Sequence, residues 1–255
     1  MKEPSTPREN EALAASGDEL WPRFVSGLAH ELRTPLASLG MLVELLEREG
    51  TTLSAKEKRY VDNIRELARE MQQLVGDVGT FARLKGGRSR RQEEPLVLED
   101  LVRRLTDGVR TAAWEKGVTV SSTLEPKHPP AIRGDPTLLE QALEAMLETV
   151  LLLAEREVSL RVEVRDAEVT FTVTGDGGCG PAEDSAALFD PFEGGTARRL
   201  RQKGARPLAP LLAREIAREL GGDLALAGAL AGHGDGSRWV LRLPLAGAGG
   251  AGVSA

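Results

Sequence analysis

One histidine in this chain has neighbours that suit it for covalent chemistry. His30 is followed directly by Glu31, and Thr34 comes four residues later, about one helical turn along. A neutral imidazole is a nucleophile, and an adjacent carboxylate can orient it or accept its proton. A hydroxyl four residues on shares the same helical face, where it can position water or an incoming carboxylate. These three residues form the candidate catalytic group.

The segment that carries His30 has the spacing of an amphipathic, coiled-coil-like helix. Apolar or seam residues recur at alternating intervals of four and three. They are Trp21, Val25, Leu28, Leu32, Pro35, Leu39, Leu42 and Leu46. His30 falls at the heptad position farthest from this seam, which predicts a solvent-exposed imidazole. An exposed histidine is more often an ordinary surface residue, so its neighbours carry the catalytic hypothesis.

A second long helix is predicted to follow the first. Ser54 and Glu57 have the spacing of a capping box, and the helix runs from there to about Lys85. Its own seam consists of Tyr60, Ile64, Leu67, Met71, Leu74, Val78 and Phe81. The short connection makes the two helices antiparallel neighbours. Each stripe is too wide for one partner helix, which predicts a homodimeric four-helix bundle with His30 on its outer faces. The alternative is a monomeric hairpin docked on the rest of the chain.

Composition narrows the function classes. A net charge of −6 over 255 residues gives no reason to expect nucleic-acid binding. The single cysteine, Cys179, excludes an internal disulfide and fits a reducing compartment. No apolar run approaches the roughly eighteen residues of a membrane span, so we expect no membrane insertion and a cytoplasmic location. The first twenty residues are expected to be too few and too polar for an input domain.

Periodicity changes in the second half of the chain. Helices are predicted near 98–116, 136–154 and 207–220, and strands near 118–124, 158–165, 168–174, 223–227 and 238–243. Helices interspersed with mostly antiparallel strands indicate an α+β fold, a two-layer sandwich. The predicted organisation is a tail (1–18), a helical hairpin (19–85), a basic linker (86–95), the sandwich domain (96–246) and a Gly/Ala-rich tail (247–255).

The stretch His30-Glu-Leu-Arg-Thr-Pro35, preceded by Phe24 and followed by an apolar run, resembles the phospho-acceptor box of sensor histidine kinases. Further landmarks stand where that family places them: Gly134-Asp135-Pro136, Leu188-Phe189-Asp190-Pro191-Phe192 and Gly236-Ser237-Arg238. The resemblance extends over about residues 20–245. It implies a dimerising hairpin with His30 as phosphoryl acceptor, a Bergerat-type ATP-binding domain, and response-regulator receiver domains as partners.

The resemblance also locates a nucleotide site whose metal ligands have changed. Two asparagines that hold Mg²⁺ in the family correspond to Ala145 and Thr149, and a methyl group offers no oxygen ligand. Glu140, Glu144 and Glu148 lie close by at helical spacing. They are either replacement ligands or, as is commoner for such a row, a solvated face.

Two glycine segments of the family differ in how well they are kept. Asp176, Gly178 and Gly180 retain the Asp-x-Gly-x-Gly pattern, whose aspartate in the family accepts a hydrogen bond from adenine, and they are the candidate residual nucleotide-binding residues. The phosphate-cradling glycine turn corresponds to Ala205-Arg-Pro-Leu-Ala-Pro210. Its two prolines remove N–H donors and restrict φ, so a cradle of backbone amides is not expected.

A basic segment lies where the family has a mobile lid. Residues 193–206 contain five positive side chains. Three interpretations stay open: the segment grips phosphate in place of the missing amides, it faces the acidic pocket of a partner, or it is a solvated loop.

An intact acceptor hairpin beside an altered nucleotide site predicts a phosphorelay protein. In this hypothesis a histidine phosphotransferase or pseudo-kinase carries phosphoryl groups on His30 to or from receiver aspartates, and Thr34 supports receiver dephosphorylation. The transfer requires no metal or other cofactor of its own, and the sequence argues against ATP and Mg²⁺ as ligands. Two alternatives remain: an ATP-dependent histidine autokinase with a divergent site, and a non-catalytic adaptor.

Overall fold

A computed structural model of the chain divides into two compact units, Met1–Ser89 and Arg90–Ala255. The structure describes residues 25, 29, 30, 32–46, 53–86, 94–127, 129, 132–165, 167–178, 189, 200, 202–206, 208–227 and 236–245. Within these residues, no helix is long and apolar enough to cross a membrane.

The first unit contains a helical hairpin. Helix α1 includes the helical residues 29, 30 and 32–46, and helix α2 is Ala55–Lys85. The predicted capping box at the start of α2 is confirmed. Ser54 Oγ accepts a hydrogen bond from the backbone N–H of Glu57 at 3.3 Å, and the Glu57 carboxylate accepts one from the Ser54 N–H at 2.8 Å. The helices are joined by a hydrogen bond that Gln72 Nε2 donates to the carbonyl of Leu36, at 3.0 Å.

The predicted apolar seams are not the contact between α1 and α2. On α1 the buried apolar residues are instead Ala29, Leu36 and Val43, spaced seven apart, and on α2 they include Val61 and Ala68. Nine seam residues are at least 40% exposed in the single chain: Leu32, Leu39, Leu42, Leu46, Tyr60, Ile64, Leu67, Met71 and Leu74. Of the other seam residues, Pro35 is exposed, Val25, Val78 and Phe81 are half-buried, and Trp21 and Leu28 lie outside the described residues. The hairpin therefore uses one heptad stripe internally and leaves a second one uncovered.

The second unit is a sheet covered by helices. Its described helices are α3 (Leu98–Lys116), α4 (Pro136–Leu153) and α5 (Ala209–Glu219). The described strands are β1 (Glu94–Leu96), β2 (Thr119–Glu125), β3 (Ile132–Gly134), β4 (Glu157–Arg165), β5 (Glu168–Gly175), β6 (Asp223–Ala227) and β7 (Ser237–Pro244). Five of them form a sheet in the order β2-β4-β5-β7-β6, and β1 pairs with β3 in a separate ribbon.

The sheet is mixed and its core lies under the helices. Strands β2 and β4 are parallel, whereas β4–β5, β5–β7 and β6–β7 are antiparallel. Phe171 of β5 and Trp239 of β7 are fully buried, as are Leu143 and Met146 of α4. The predicted α+β two-layer fold is confirmed, with elements close to their expected positions. The short β1–β3 ribbon was not predicted.

Candidate functional site

His30 is exposed on α1, as predicted, and its neighbour Ala29 is buried against α2. A Cβ placed on Gly79 of α2 would lie 3.3 Å from the Cβ of Ala29, so the two helices approach closely beside the histidine. Thr34 is also exposed, and its carbonyl accepts a hydrogen bond from Ser38 Oγ at 3.1 Å. Glu31 lies outside the described residues. Packing of Ala29 thus fixes the helix while the imidazole stays in water.

The two positions that correspond to the family's metal-binding asparagines are buried in the helix layer. Ala145 is 2% exposed and Thr149 is 4% exposed. Thr149 Oγ1 donates a hydrogen bond to the carbonyl of Ala145 at 2.7 Å, back along its own helix. Mg²⁺ requires hard oxygen ligands in nearly octahedral geometry. A methyl group and a buried hydroxyl that is bonded to its own helix do not meet that requirement.

The acidic row on α4 is held at both ends by arginines. Glu140 accepts from Arg104 Nε at 3.0 Å and from Nη2 at 3.3 Å, and Glu148 accepts from Arg206 Nη1 at 2.9 Å. Partial loss of solvent, reinforced by the charges of the two flanking carboxylates, raises the pKa of Glu144, and Arg206 opposes this shift. Arg206 comes from the segment before α5, where the resemblance places the phosphate cradle. The hydrogen bond from Arg206 to Glu148 therefore connects the segment before α5 to α4.

The carboxylate of Asp176, just after β5, anchors a neighbouring turn. Its Oδ1 accepts hydrogen bonds from the backbone N–H groups of Glu155, Arg156 and Glu157, at 2.9, 3.1 and 3.3 Å. Its Oδ2 accepts one from Arg156 Nε at 3.3 Å. Burial alone would raise the pKa of Asp176, but these donors outweigh it and lower the pKa to about 2. Both oxygens of the predicted adenine-binding residue already have donors within the protein.

Replacing Asp176 with asparagine is expected to destabilise the second unit. The neutral amide accepts the three backbone N–H groups more weakly, and we expect a loss of about 1–2 kcal/mol in the free energy of unfolding at pH 7. The folded pKa lies below the ordinary 3.8. The stabilisation is therefore present above pH about 4 and lost as the pH falls towards 2. Urea denaturation of the wild-type chain and of Asp176→Asn measures the difference in unfolding free energy, which should be smaller at pH 3 than at pH 7. Arg156→Gln, whose side chain is 85% exposed, is the control and should change little.

Gly175 at the end of β5 and Gly177 just after the strand lie tightly against the C-terminal end of α4. A Cβ on Gly175 would be 2.6 Å from Val150 Cγ1, and one on Gly177 would be 1.9 Å from the carbonyl oxygen of Leu153. Gly178 is exposed, and Gly180 lies outside the described residues. Gly175, which precedes the aspartate, and Gly177, at the first variable position of the Asp-x-Gly-x-Gly segment, are thus required by packing, independently of any ligand.

Gly177→Ala should accordingly be among the most damaging single-methyl additions in this chain. The backbone carbonyl of Leu153 cannot move aside as a flexible side chain would, so we expect a loss of at least about 2 kcal/mol in unfolding free energy. Gly108→Ala is the matched control. A Cβ there meets nothing within 4 Å, and alanine in the interior of α3 should stabilise by up to about 1 kcal/mol. Chemical denaturation of both variants tests the pair, and equal effects would contradict the packing argument.

Helix α5 begins without the features of an anion site. No side chain caps its N-terminus, and Ala209 and Pro210 in its first turn are buried. Proline has no N–H to donate, although it fits the first helical turn. Ala213 and Ala217 of α5 and Ala142 of α4 are fully buried between the packed layers. Pro207 lies outside the described residues.

A helical hairpin with an exposed histidine, followed by an α+β sandwich, defines a histidine-kinase-like protein of two-component signalling. Two family models match in tandem: the His Kinase A (phospho-acceptor) domain over residues 22–87, and the histidine kinase-, DNA gyrase B- and HSP90-like ATPase over residues 134–247. The chain belongs to the sensor histidine kinase family.

Curated relatives match nearly the whole chain. The sensor protein GacS of Pseudomonas syringae pv. syringae is 25% identical over 92% of this chain and 26% of its own length. The sensor protein DivL of Caulobacter vibrioides is 28% identical over 92% of this chain and 30% of its own length. The chain therefore spans less than a third of the length of these relatives.

Solved structures share the architecture. The structure of full-length ShkA in complex with AMPPNP matches with a TM-score of 0.72 and 27% identity, over 88% of this chain and 46% of that one. The structure of the histidine kinase ThkA in complex with the response regulator protein TrrA matches with a TM-score of 0.59 over 92% of this chain and 64% of that one. Its 15% identity supports the fold alone.

Proposed function

We propose that this chain is a histidine phosphotransferase or pseudo-kinase of a two-component phosphorelay. It exchanges phosphoryl groups between His30 and the aspartates of receiver domains and does not obtain them from ATP. The observation that carries the proposal is the contrast between the two units. The acceptor histidine is exposed on a well-formed hairpin, while the nucleotide-ligand positions of the second unit are taken up by packing and internal hydrogen bonds.

The transfer is a nucleophilic displacement at phosphorus. A nitrogen of neutral His30 attacks the phosphorus atom of a receiver's aspartyl phosphate, a P–N bond forms, and the P–O bond to the aspartate breaks. The imidazole proton leaves to Glu31 or to water, and the receiver regains its carboxylate. Transfer to a second receiver reverses these steps. Thr34 supports receiver dephosphorylation by orienting a water molecule from the same helical face.

Three separate features of the second unit argue against an ATP-dependent reaction. The α4 positions lack Mg²⁺ ligands because Ala145 has none and Thr149 is bonded within its helix. The carboxylate of Asp176 is engaged by backbone donors. The first turn of α5 contains a proline in place of a phosphate-binding amide. The residues present therefore do not fit Mg²⁺ and a triphosphate, and the second unit serves as a docking surface for receiver domains.

The uncovered apolar stripe of the hairpin supports the homodimer. Residues such as Leu42, Leu67 and Met71, each more than half exposed in the single chain, repeat at heptad spacing on both helices. A second copy related by twofold symmetry buries both stripes at once and forms a four-helix bundle. His30 is off the stripe and stays accessible to a receiver.

Phosphoryl exchange with purified receivers tests the proposal. Radiolabelled phosphoryl groups on a panel of receiver domains should move to the wild-type chain and fail to move to His30→Ala, with or without ATP. Label acquired directly from ATP and lost in His30→Ala would instead establish the autokinase, which the likeness to ShkA favours. If His30→Ala left signal flow unchanged in a reconstituted relay, the chain would be an adaptor.

A further inference from the structure

Two guanidinium groups converge at Gly79 of α2, the glycine that faces Ala29, the residue before His30. A Cβ placed on Gly79 would lie 3.7 Å from Nη1 of Arg83 and 3.8 Å from Nη2 of Arg33. The same point is 3.3 Å from the Cβ of Ala29, the residue before His30. Both arginines are exposed. Because Gly79 has no side chain, the two cationic groups share the space above it.

Helix geometry explains why the two side chains meet there. The Cα–Cβ bond of a helical residue tilts towards the N-terminus of its helix, and long side chains follow this direction. The side chain of Arg33 therefore runs back along α1 to the turn that holds His30. Helix α2 is antiparallel, and Arg83 likewise runs back towards Gly79. Its Nη2 donates a hydrogen bond to Oγ1 of the buried Thr80 at 2.8 Å, which orients the guanidinium group.

Neither guanidinium group forms a direct ion pair with a described carboxylate. Among the described residues, no ion pair joins Arg33 or Arg83 to an aspartate or glutamate, although other arginines of α2, α3 and α5 do form such pairs. Two like charges held close together repel each other and attract an anion. Five N–H donors in a planar fork make each guanidinium group well suited to phosphoryl oxygens.

We infer that Arg33 and Arg83 form a phosphoryl-binding pair that holds the group being transferred to and from His30. The inference deepens the proposed function and rests on it. It gives α2 a direct part in the reaction, through Arg83, and gives Gly79 and Thr80 a positioning role. A bulkier residue at 79 would occupy the space in which the two side chains meet.

Phosphoramidate, a small phosphoryl donor, tests this pair without a receiver domain. The imidazole nitrogen of His30 attacks phosphorus, the P–N bond to the leaving ammonia breaks, and the imidazole proton is released to solvent. The rate constant of labelling is measured on the full chain for wild type, Arg83→Gln and Arg59→Gln. The His30→Ala variant measures the background labelling of the other histidines. Arg59 is an exposed arginine at the opposite end of α2 and provides the matched charge change.

Arg83→Gln is expected to slow the labelling of His30 about ten- to a hundredfold. Removal of one preorganised donor in a water-excluded site costs about a hundred- to a thousandfold, and the exposure of Arg83 to solvent reduces that effect. Arg59→Gln should label at the wild-type rate, and Arg83→Lys should recover part of the loss. Equal rates for wild type and Arg83→Gln, or an equal loss in Arg59→Gln, would overturn the inference. Should Arg83→Gln lower the unfolding temperature, Arg33→Gln is the second variant, with the same expected loss.

Failure of this inference is distinguishable from failure of the proposed function. If the wild-type chain accepts phosphoryl groups on His30 and the arginine variants do so equally well, only the role of the pair is excluded. If the wild-type chain accepts none from phosphoramidate or from any receiver of the panel, the phosphotransferase itself is excluded.

Discussion

A chain that carries both Leu67→Glu and Met71→Glu is expected to sediment as a 27.4 kDa monomer, whereas the wild-type chain should sediment at twice that mass. The two side chains are 58% and 53% exposed in the single chain, so their replacement should leave the fold of the hairpin intact. Twofold symmetry repeats each substitution, which places four carboxylates in the interface of the bundle.

The expected effect on the dimer is large because apolar burial and charge act together. Loss of the apolar contacts removes about 25 cal/mol of stabilisation for each Å² of apolar surface that the interface buries. The new carboxylates are also desolvated in the interface without gaining hydrogen-bond partners. A total cost of about 4 kcal/mol corresponds to a thousandfold rise in the dissociation constant. Sedimentation at several protein concentrations measures this shift.

Arg69→Glu is the control for the added charge. Arg69 is exposed on the same helix but lies off the seam, so this variant should remain dimeric. A monomeric wild-type chain whose unfolding free energy falls in the double variant would contradict the dimer. That result would favour the alternative, a hairpin docked on the rest of its own chain.

The hairpin shows which features the spacing of apolar residues can predict. The heptad stripes and the capping box at Ser54 predicted two helices and, for α2, its described bounds. The stripes did not tell which face meets which partner, because Ala29, Leu36 and Val43 form a second stripe of small and medium side chains at the same period. The largest residues at heptad spacing dominate the pattern, although in the single chain they remain exposed.

In the second unit, contacts between residues that are distant in the sequence could not be predicted from local patterns. The resemblance to sensor histidine kinases located Ala145 and Thr149 at the positions of the family's asparagines. The ion pairs of Arg104 and Arg206 could not be predicted, because their partners are distant in the chain. The same holds for Asp176, whose backbone donors lie on the turn between α4 and β4. The β1–β3 ribbon was not predicted, because strands of three residues, one with a central proline, show no alternation of apolar and polar side chains.

The second prediction concerns nucleotide, which would raise the unfolding temperature strongly if the second unit bound it. A ligand present at a hundred times its dissociation constant stabilises a folded protein by about 2.7 kcal/mol, which is several degrees in unfolding temperature for a domain of this size. Millimolar Mg²⁺ with AMPPNP should leave the unfolding temperature of this chain unchanged. Full-length ShkA, whose structure was solved with AMPPNP, is the positive control.

Restoring the two asparagines is not expected to restore nucleotide binding. Ala145→Asn with Thr149→Asn returns the amide oxygens to α4, but Asp176 stays bound to its turn, Arg206 stays paired with Glu148, and Pro210 still lacks an N–H. We therefore expect no thermal shift with Mg²⁺ and AMPPNP in this double variant either. A shift of several degrees in the wild-type chain would show that the carboxylate of Asp176 or the pre-α5 segment rearranges to admit nucleotide. In that case the second unit binds nucleotide, and labelling of His30 from ATP decides between the phosphotransferase and the autokinase.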